Sequence, residues 1–272
     1  KTGTITEDRV VLMHYVDPFG NENEDVLNYA YLNSKYQTGW RNLMDVAVLD
    51  YFASKKKTLP FETVSKIDEI PFDFSRRRLS VALSLADERV MITKGAVEEM
   101  AEVCASVLVN GEKVALTPEL IEQMKAVNIK MNQDGMRVIT VAQKTIDSDT
   151  IRISDENNLT ILGFIGFLDP AKESAITAIS SLHAHGVTVK VLTGDNAIVA
   201  QKVCADVGID AEHYLLGSDI DGMSDAELTE QAENLHLFAK LNPMQKERVI
   251  SLLKKKVIPL GLWEMALMTP LL

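Results

Sequence analysis

The chain has 272 residues, of which 46% are hydrophobic and 25% charged, and its formal net charge is −11. That length suffices for one large domain or two ordinary ones around a real core. The acidic balance excludes the electrostatic footprint of a nucleic-acid binder, and no run reaches the roughly 18 to 20 apolar residues that a membrane-spanning helix needs. The two cysteines, Cys104 and Cys204, form no metal-type spacing with the five histidines. Nothing at the start resembles a signal peptide, so a reduced, cytosolic setting is expected.

In chain order, the stretch from about residue 7 to residue 158 reads as a mixed antiparallel sheet with helices. Leu79, Val81, Leu83 and Leu85 alternate with Ser80, Ala82 and Ser84, and a turn at Asp87-Glu88 leads into a second strand over Arg89 to Thr93, the pattern of an antiparallel hairpin. Asn110-Gly111 predicts another hairpin between Val107 and Leu116, because that dipeptide accepts the positive φ angles of a type I′ turn. Thr117-Pro118 starts a helix that runs to Asn132, with Gly135 beyond its end,. Ile161 to Leu168 is a buried strand.

From Ala171 the texture changes to alternating helices and strands. A helix over Lys172 to His185 is closed by Gly186, a strand follows over Val187 to Leu192, and helices follow over Ala197 to Val207 and Asp225 to Ala232. Ser224 with Glu227 forms a capping box for the last of these. A strand over Leu235 to Leu241 leads to Asn242 as a helix N-cap, Pro243 at the first helical position and Lys246 one turn in,. The βαβ rhythm implies a parallel sheet with helices on both faces, a Rossmann-like half.

Two turns look like halves of one phosphate site: Lys1-Thr2-Gly3-Thr4 at the start, and Thr193-Gly194-Asp195-Asn196 after the strand ending at Leu192. Each places a small hydroxyl residue beside a glycine, where hydroxyls and backbone N–H groups at the carboxyl end of a sheet can hold an anion. Lys246 would neutralise a phosphoryl group held there. These motifs, taken with Lys94-Gly95-Ala96, Leu168-Asp169-Pro170 and Phe238-Ala239-Lys240, in this order, resemble a P-type ATPase from Lys1 to about Lys256. Tyr31 to Leu43 and Gly163 to Pro170 are most similar to the bacterial magnesium-transporting members.

The resemblance implies a Rossmann-like, haloacid-dehalogenase-type phosphorylation domain over residues 1–8 and 159–256. An α+β nucleotide-binding domain with an antiparallel sheet, residues 9–158, is inserted into it. In the family, Lys-Thr-Gly-Thr follows an aspartate that attacks the γ-phosphate of ATP, so the sequence, starting one residue later, is expected to lack the nucleophile. Lys1, Thr2 and Thr4 then mark the site, Thr193 and the Gly194 backbone bind phosphoryl oxygens, Lys246 supplies fixed charge and the Thr2 carbonyl ligates Mg²⁺. Asp195 and Asp169 orient loops or the ribose.

In the inserted domain Phe74 would stack on adenine, with Asp45 accepting from the adenine amino group. Arg76 and Arg78 are the candidates for facing the phosphates, Lys94 with Gly95 permits close approach of the nucleotide, and Arg137 reaches the β-phosphate. The chain is thus expected to be the ATP-binding and phosphorylation part of an ATP-driven magnesium pump at the cytosolic face of the cell membrane. Its partners would be ATP and the transmembrane and actuator domains of the same parent chain. Two alternatives are a soluble haloacid-dehalogenase-type phosphohydrolase, against which Phe74 and Lys94-Gly95-Ala96 argue, and a catalytically inactive ATP-binding module.

After Lys256 the resemblance stops, where the family has a strand and then Gly-Asp-Gly-x-Asn-Asp. Residues 257–272 read as an apolar core segment or membrane stub, or as a frameshift. Trp263, Met265 and Met268 have single codons, and starting each codon one base earlier permits Gly-Asp-Gly-Ile-Asn-Asp at this point, so a frameshifted tail is the expectation.

Overall fold

The computed structural model describes residues 4–7, 9–39, 41–86 and 88–255. They form two compact units, one from residues 10–132 and 136–168 and the other from the described parts of 1–9, 133–135 and 169–272. The first contains β1 (Val11–Val16), α1 (Glu24–Tyr36), α2 (Leu43–Ser54), β2 (Val64–Asp73), β3 (Arg78–Leu85), β4 (Glu88–Ala96), α3 (Val97–Val103), β5 (Cys104–Val109), β6 (Glu112–Ala115), α4 (Pro118–Gln133), β7 (Arg137–Thr145), a 3₁₀ turn over Ile153–Asp155, and β8 (Leu159–Leu168). The strands make one eight-stranded sheet in the order β2-β3-β4-β7-β8-β5-β6, with β1 also on β8. All neighbours are antiparallel except β5 and β8.

The alternation in β3 and β4 divides two cores. Leu79, Val81, Leu83, Val90 and Ile92 pack with α1 and α2 residues such as Val26, Leu27 and Val48, while Ala82 and Met91 meet Met100 of α3 on the opposite face. Both expected hairpins form. Asn110 and Gly111 have φ of 50° and 85°, as a type I′ turn requires, and Val109 pairs with Glu112. The helix at Pro118 is capped by Thr117 Oγ1, which accepts from Leu120 N at 3.3 Å, and Gly135 beyond its end has φ 84°.

The strand expected within the phosphorylation domain belongs elsewhere. β8 lies inside the antiparallel sheet, bonded to β7 along one edge and to β5 and then β1 along the other, so the units part after Leu168 rather than at residue 158. An unbroken apolar run looks the same in a buried parallel strand and in the centre of a two-sided antiparallel sheet, and only partners tell them apart. Gly163 sits where the edge of β8 passes from β5 to β1; a Cβ there would lie 2.0 Å from the Val16 carbonyl oxygen.

The second unit contains α5 (Glu173–Ala184), β9 (Val191–Leu192), α6 (Ala197–Asp206), β10 (Tyr214–Leu216), α7 (Gly217–Gly222), α8 (Asp225–Asn234), β11 (Leu237–Ala239) and α9 (Pro243–Lys255). Its described strands form a parallel sheet in the order β10-β11-β9. Val191 and Leu237 face α5 and α6 through Ile179, Ala200 and Val203. Phe238 and Leu215 face the other way, onto Leu228 of α8 and Val249 and Leu252 of α9, so helices cover both faces. The expected strands over Val187 to Leu192 and Leu235 to Leu241 shrink to two and three residues, because a parallel strand extends only as far as its neighbour supplies a ladder. The Ser224–Glu227 capping box is present.

Candidate functional site

Three residues expected at the nucleotide occupy one face of the large sheet. Lys94 of β4 is 5% exposed and points between α1 and α2, where its Nζ donates to Ser34 Oγ at 2.6 Å and to Asp45 Oδ1. Ser34 in turn donates to Asp45 at 2.9 Å. Asp45 lies in the first turn of α2, and Asn42 caps that helix by a reciprocal box with it. Such an arrangement favours a carboxylate at the positive end of the helix dipole. Burial opposes ionisation of Asp45, but attraction to Lys94 and hydrogen bonds from Lys94 and Ser34 outweigh it and hold the carboxyl below its ordinary value. Burial depresses the Lys94 ammonium, with Asp45 pulling back against it.

Lys94 is paired across the sheet with Leu79 on β3 and Val141 on β7. Between the pairs Ile70–Ser80 and Asp73–Arg78, β2 has two residues, Pro71 and Phe72, opposite the single Leu79. This is a bulge of the kind an edge-strand proline marks. Phe72 therefore falls in the row of Leu79 and Lys94, two strands or about 10 Å from the lysine. Its ring is 48% exposed and Phe74, on the turn that follows, is 85% exposed. The two rings meet edge to face with centroids 5.2 Å apart. Along β7, residues 137, 139 and 141 share a face, so Arg137, opposite Phe167, lies on the Lys94 side, about 13 Å from Val141. One sheet face thus carries an exposed aromatic pair, a buried charge pair and an arginine.

Arg76 and Arg78 are oriented otherwise. Arg78 pairs with Gly95, one residue out of phase with Lys94, and its Nε donates to Glu156 at 2.9 Å. Arg76 reaches the same carboxylate and also donates to the Pro71 carbonyl at 2.8 Å. Ser80 Oγ donates to the other Glu156 oxygen at 2.8 Å. Both guanidiniums that the sequence suggests for phosphates are thus held by an internal carboxylate on the opposite face. Gly95 has a local reason as well: a Cβ would stand 2.7 Å from Arg78 Cβ and 3.0 Å from the Arg77 carbonyl oxygen. Gly95→Ala is expected to cost about 1–3 kcal/mol through overpacking of β4 against β3, read from the urea midpoint. Phe72, Ser34 and Glu156 escape a reading of the sequence, although Pro71, as the mark of a bulge, offered a signal for the first.

In the second unit the loops after β9 and β11 are laced together. Lys240 N, in a left-handed conformation with φ 53°, donates to Asp195 O at 2.8 Å, and Leu241 N donates to Thr193 O at 3.0 Å. Thr193 is buried; its hydroxyl donates to Asp195 Oδ2 at 2.9 Å and accepts from Asp195 N at 3.1 Å. Asn196, not Asp195, caps α6 through Val199 N. Asn242 and Gln245 exchange backbone-to-side-chain bonds of 2.8 Å and so cap α9, whose fourth residue is Lys246. Gly194 sits exposed between these loops.

The start of the chain joins the same unit. Ile5 packs with Val191 and Ile179, Thr6 bridges Ala171, and Thr6 Oγ1 donates to the buried Asp169 Oδ2 at 2.8 Å. Asp169 therefore ties the segment that follows β8 to the start of the chain. Thr4 is described and partly buried, whereas Lys1, Thr2 and the tail from residue 256 lie outside the described residues. Among the described residues no group of three or more His, Cys, Asp or Glu side chains is placed to hold a metal ion, and no helix is long and apolar enough to cross a membrane.

A family model of the P-type ATPase cytoplasmic domain N matches residues 28–174. The chain belongs to the P-type ATPase family. It is 45% identical over 260 residues to the magnesium-transporting ATPase, P-type 1, of Escherichia coli strain K12, and 45% identical over 261 residues to that of Salmonella typhimurium strain LT2. It is 26% identical over 276 residues to calcium-transporting ATPase 1 of Bacillus cereus strain ATCC 10987. Each comparison takes in 94% of this chain. The chain spans 29% of the length of the two magnesium-transporting relatives and 31% of the calcium-transporting one. In this P-type ATPase the domain N match contains most of α1, together with Asp45, Phe72, Phe74, Lys94, Arg137 and Glu156, whereas Thr193 and Lys246 lie beyond it.

Proposed function

We propose that this chain is the ATP-binding and phosphorylation part of a magnesium-transporting P-type pump at the cytosolic face of a membrane, working through an aspartyl phosphate. The observation that carries the reading is the sheet face of the first unit. An exposed aromatic pair, a buried Lys94–Asp45 pair in the same row, and Arg137 further along β7 suit a flat base at one end and a polyphosphate at the other. Phe74 with Phe72 stacks the adenine, and Lys94, oriented by Asp45 and Ser34, bounds the base pocket. Gly95 lets β4 lie close on β3 there, and Arg137 takes the β-phosphate. In the second unit Thr193 and the Gly194 backbone take the transferred phosphoryl group, with Asp195 and Asp169 holding their loops and Lys246 supplying charge. Lys1, Thr2 and Thr4 belong to the motif that would mark the attacking end. The Thr2 carbonyl would hold Mg²⁺, which would supply charge to offset the phosphates.

Isothermal titration with ATP and with adenosine tests the reading. Arg137→Ala is expected to weaken ATP binding by about 1.5–3 kcal/mol, the worth of a hydrogen bond to a charged group, and to leave adenosine binding unchanged. Equal losses for the two ligands would show that Arg137 does not meet phosphate, and absence of ATP binding in the unaltered chain would end the proposal.

A further inference from the structure

We propose that Glu156 is a positioning residue for nucleotide binding: it acts through Arg76 and Arg78 to hold the β2–β3 hairpin turn that displays Phe74. The inference rests on the proposed ATP site, but the contact on which it turns lies on the other side of the sheet. Phe74 is the first residue of a four-residue turn between Asp73 and Arg78, and an exposed ring on such a turn is ordered only by what fixes the turn's backbone. Local bonds supply part of this order. Asp73 Oδ1 accepts from Ser75 N and Arg76 N, each at 2.9 Å, and Arg77, with φ 47°, donates its N–H to Asp73 O at 2.7 Å. All of these bonds are solvent-exposed or lie within the turn, so they compete with water.

Arg77 is also tied to its neighbours, its carbonyl accepting from Ala96 N at 3.1 Å and its guanidinium reaching Glu99 at 3.0 Å, and the most buried constraint comes from 78 to 80 residues away in the chain. Glu156 is 2% exposed and follows the 3₁₀ turn Ile153–Asp155. Its Oε2 accepts from both Arg76 and Arg78, the residues on either side of Arg77, and its Oε1 accepts from Ser80. Arg76 also bonds the Pro71 carbonyl, at the bulge that sets Phe72. One carboxylate therefore reaches the start, middle and end of the hairpin by way of two guanidinium forks, which are rigid planar donors suited to fixing geometry. Its side chain has no exposure and those of Arg76 and Arg78 have 15% and 12%, so these bonds are shielded from water as the turn's own are not. A ring held in its binding position before the ligand arrives avoids the ordering cost at the moment of binding.

Titration of the full chain with ATP, combined with amide hydrogen exchange over residues 73–78, tests the proposal. Glu156→Gln keeps the side-chain size and removes the charge. It is expected to raise the ATP dissociation constant roughly three- to tenfold, the scale of immobilising one side chain, and to speed exchange of the Arg77 amide. In a Phe74→Ala background the same substitution should add nothing, because the residue it positions is gone. A purely structural role would instead give additive losses in the double variant, and that result overturns the proposal, as does an unchanged affinity of Glu156→Gln. Should Glu156→Gln fail to fold, Arg76→Lys serves in its place. It keeps the charge, loses the fork that joins Glu156 to Pro71, and should be silent in the Phe74→Ala background by the same argument. If the unaltered chain does not bind ATP, the proposed function fails by itself. The exchange measurement then decides whether the carboxylate holds the turn, and unaltered exchange at Arg77 would overturn that too.

Discussion

Phe74→Ala is expected to weaken ATP binding roughly 5- to 150-fold while leaving the melting temperature of the chain unchanged, because stacking a base on an aromatic ring is worth about 1–3 kcal/mol by alanine substitution. The separation of the two effects follows from exposure. At 85% exposed the ring contributes little buried area to the fold, and among the described residues its aromatic contact is with Phe72, itself half in water. An apolar ring displayed this way gains little from packing, so its removal leaves the fold intact. Phe72→Ala should show a smaller loss of affinity in the same direction, since its ring supports the first edge-on. Titration calorimetry with ATP and GTP reads both. A Phe74→Ala chain with unaltered affinity would remove the aromatic platform from the site.

Lys94→Met is expected to destabilise the first unit by about 3–5 kcal/mol, the usual result of removing one partner from a buried ion pair. Asp45 would be left 2% exposed with a charge and no cation. Replacing both members, as in Lys94→Met with Asp45→Leu, should recover much of the loss, because an apolar pair of similar volume carries no desolvation penalty. Urea unfolding of the single and double variants measures the difference. The pH dependence has a definite sign. The folded-state value for Asp45 lies below its unfolded value of 3.8, so its contribution is fully present above about pH 4 and is lost as pH falls through the lower folded value. The Asp45→Leu, Lys94→Met chain should lack that part of the acid transition, and an identical acid profile would show that the pair does not titrate as argued.

Legibility in the sequence followed the range of the interaction responsible. The β3–β4 and β5–β6 hairpins, the helix after Thr117, the capping box at Ser224 and the cap at Asn242 were readable because each depends on residues within a few positions of one another. Alternation, a positive-φ dipeptide or a hydroxyl at a helix start carries its physical cause in its own neighbourhood. The family motifs were readable for the same reason, being short and ordered. β8 was misplaced because its ten residues have no polar face to name their neighbours. The Arg76 to Arg78 run was equally ambiguous, since three consecutive guanidiniums at a hairpin turn have no carboxylate partner nearby in the sequence, and folding supplied Glu156 for two of them and Glu99 for Arg77.

Taken alone, the amino-acid order determined that an antiparallel α+β unit interrupts an α/β unit, and which short segments carry the likeness to the P-type ATPase family. Folding decided what each charged side chain meets: Lys94 meets Asp45 and Ser34, Arg76 and Arg78 meet Glu156, and Thr6 meets Asp169. These pairings join residues separated by 49 to 163 positions. Such a partner is chosen by strand register and by which face of the pleat a residue occupies, and a shift of one position reverses that face. The division on the large sheet, with Phe72, Lys94 and Arg137 on one side and Glu156 with its two arginines on the other, is therefore a property of the register.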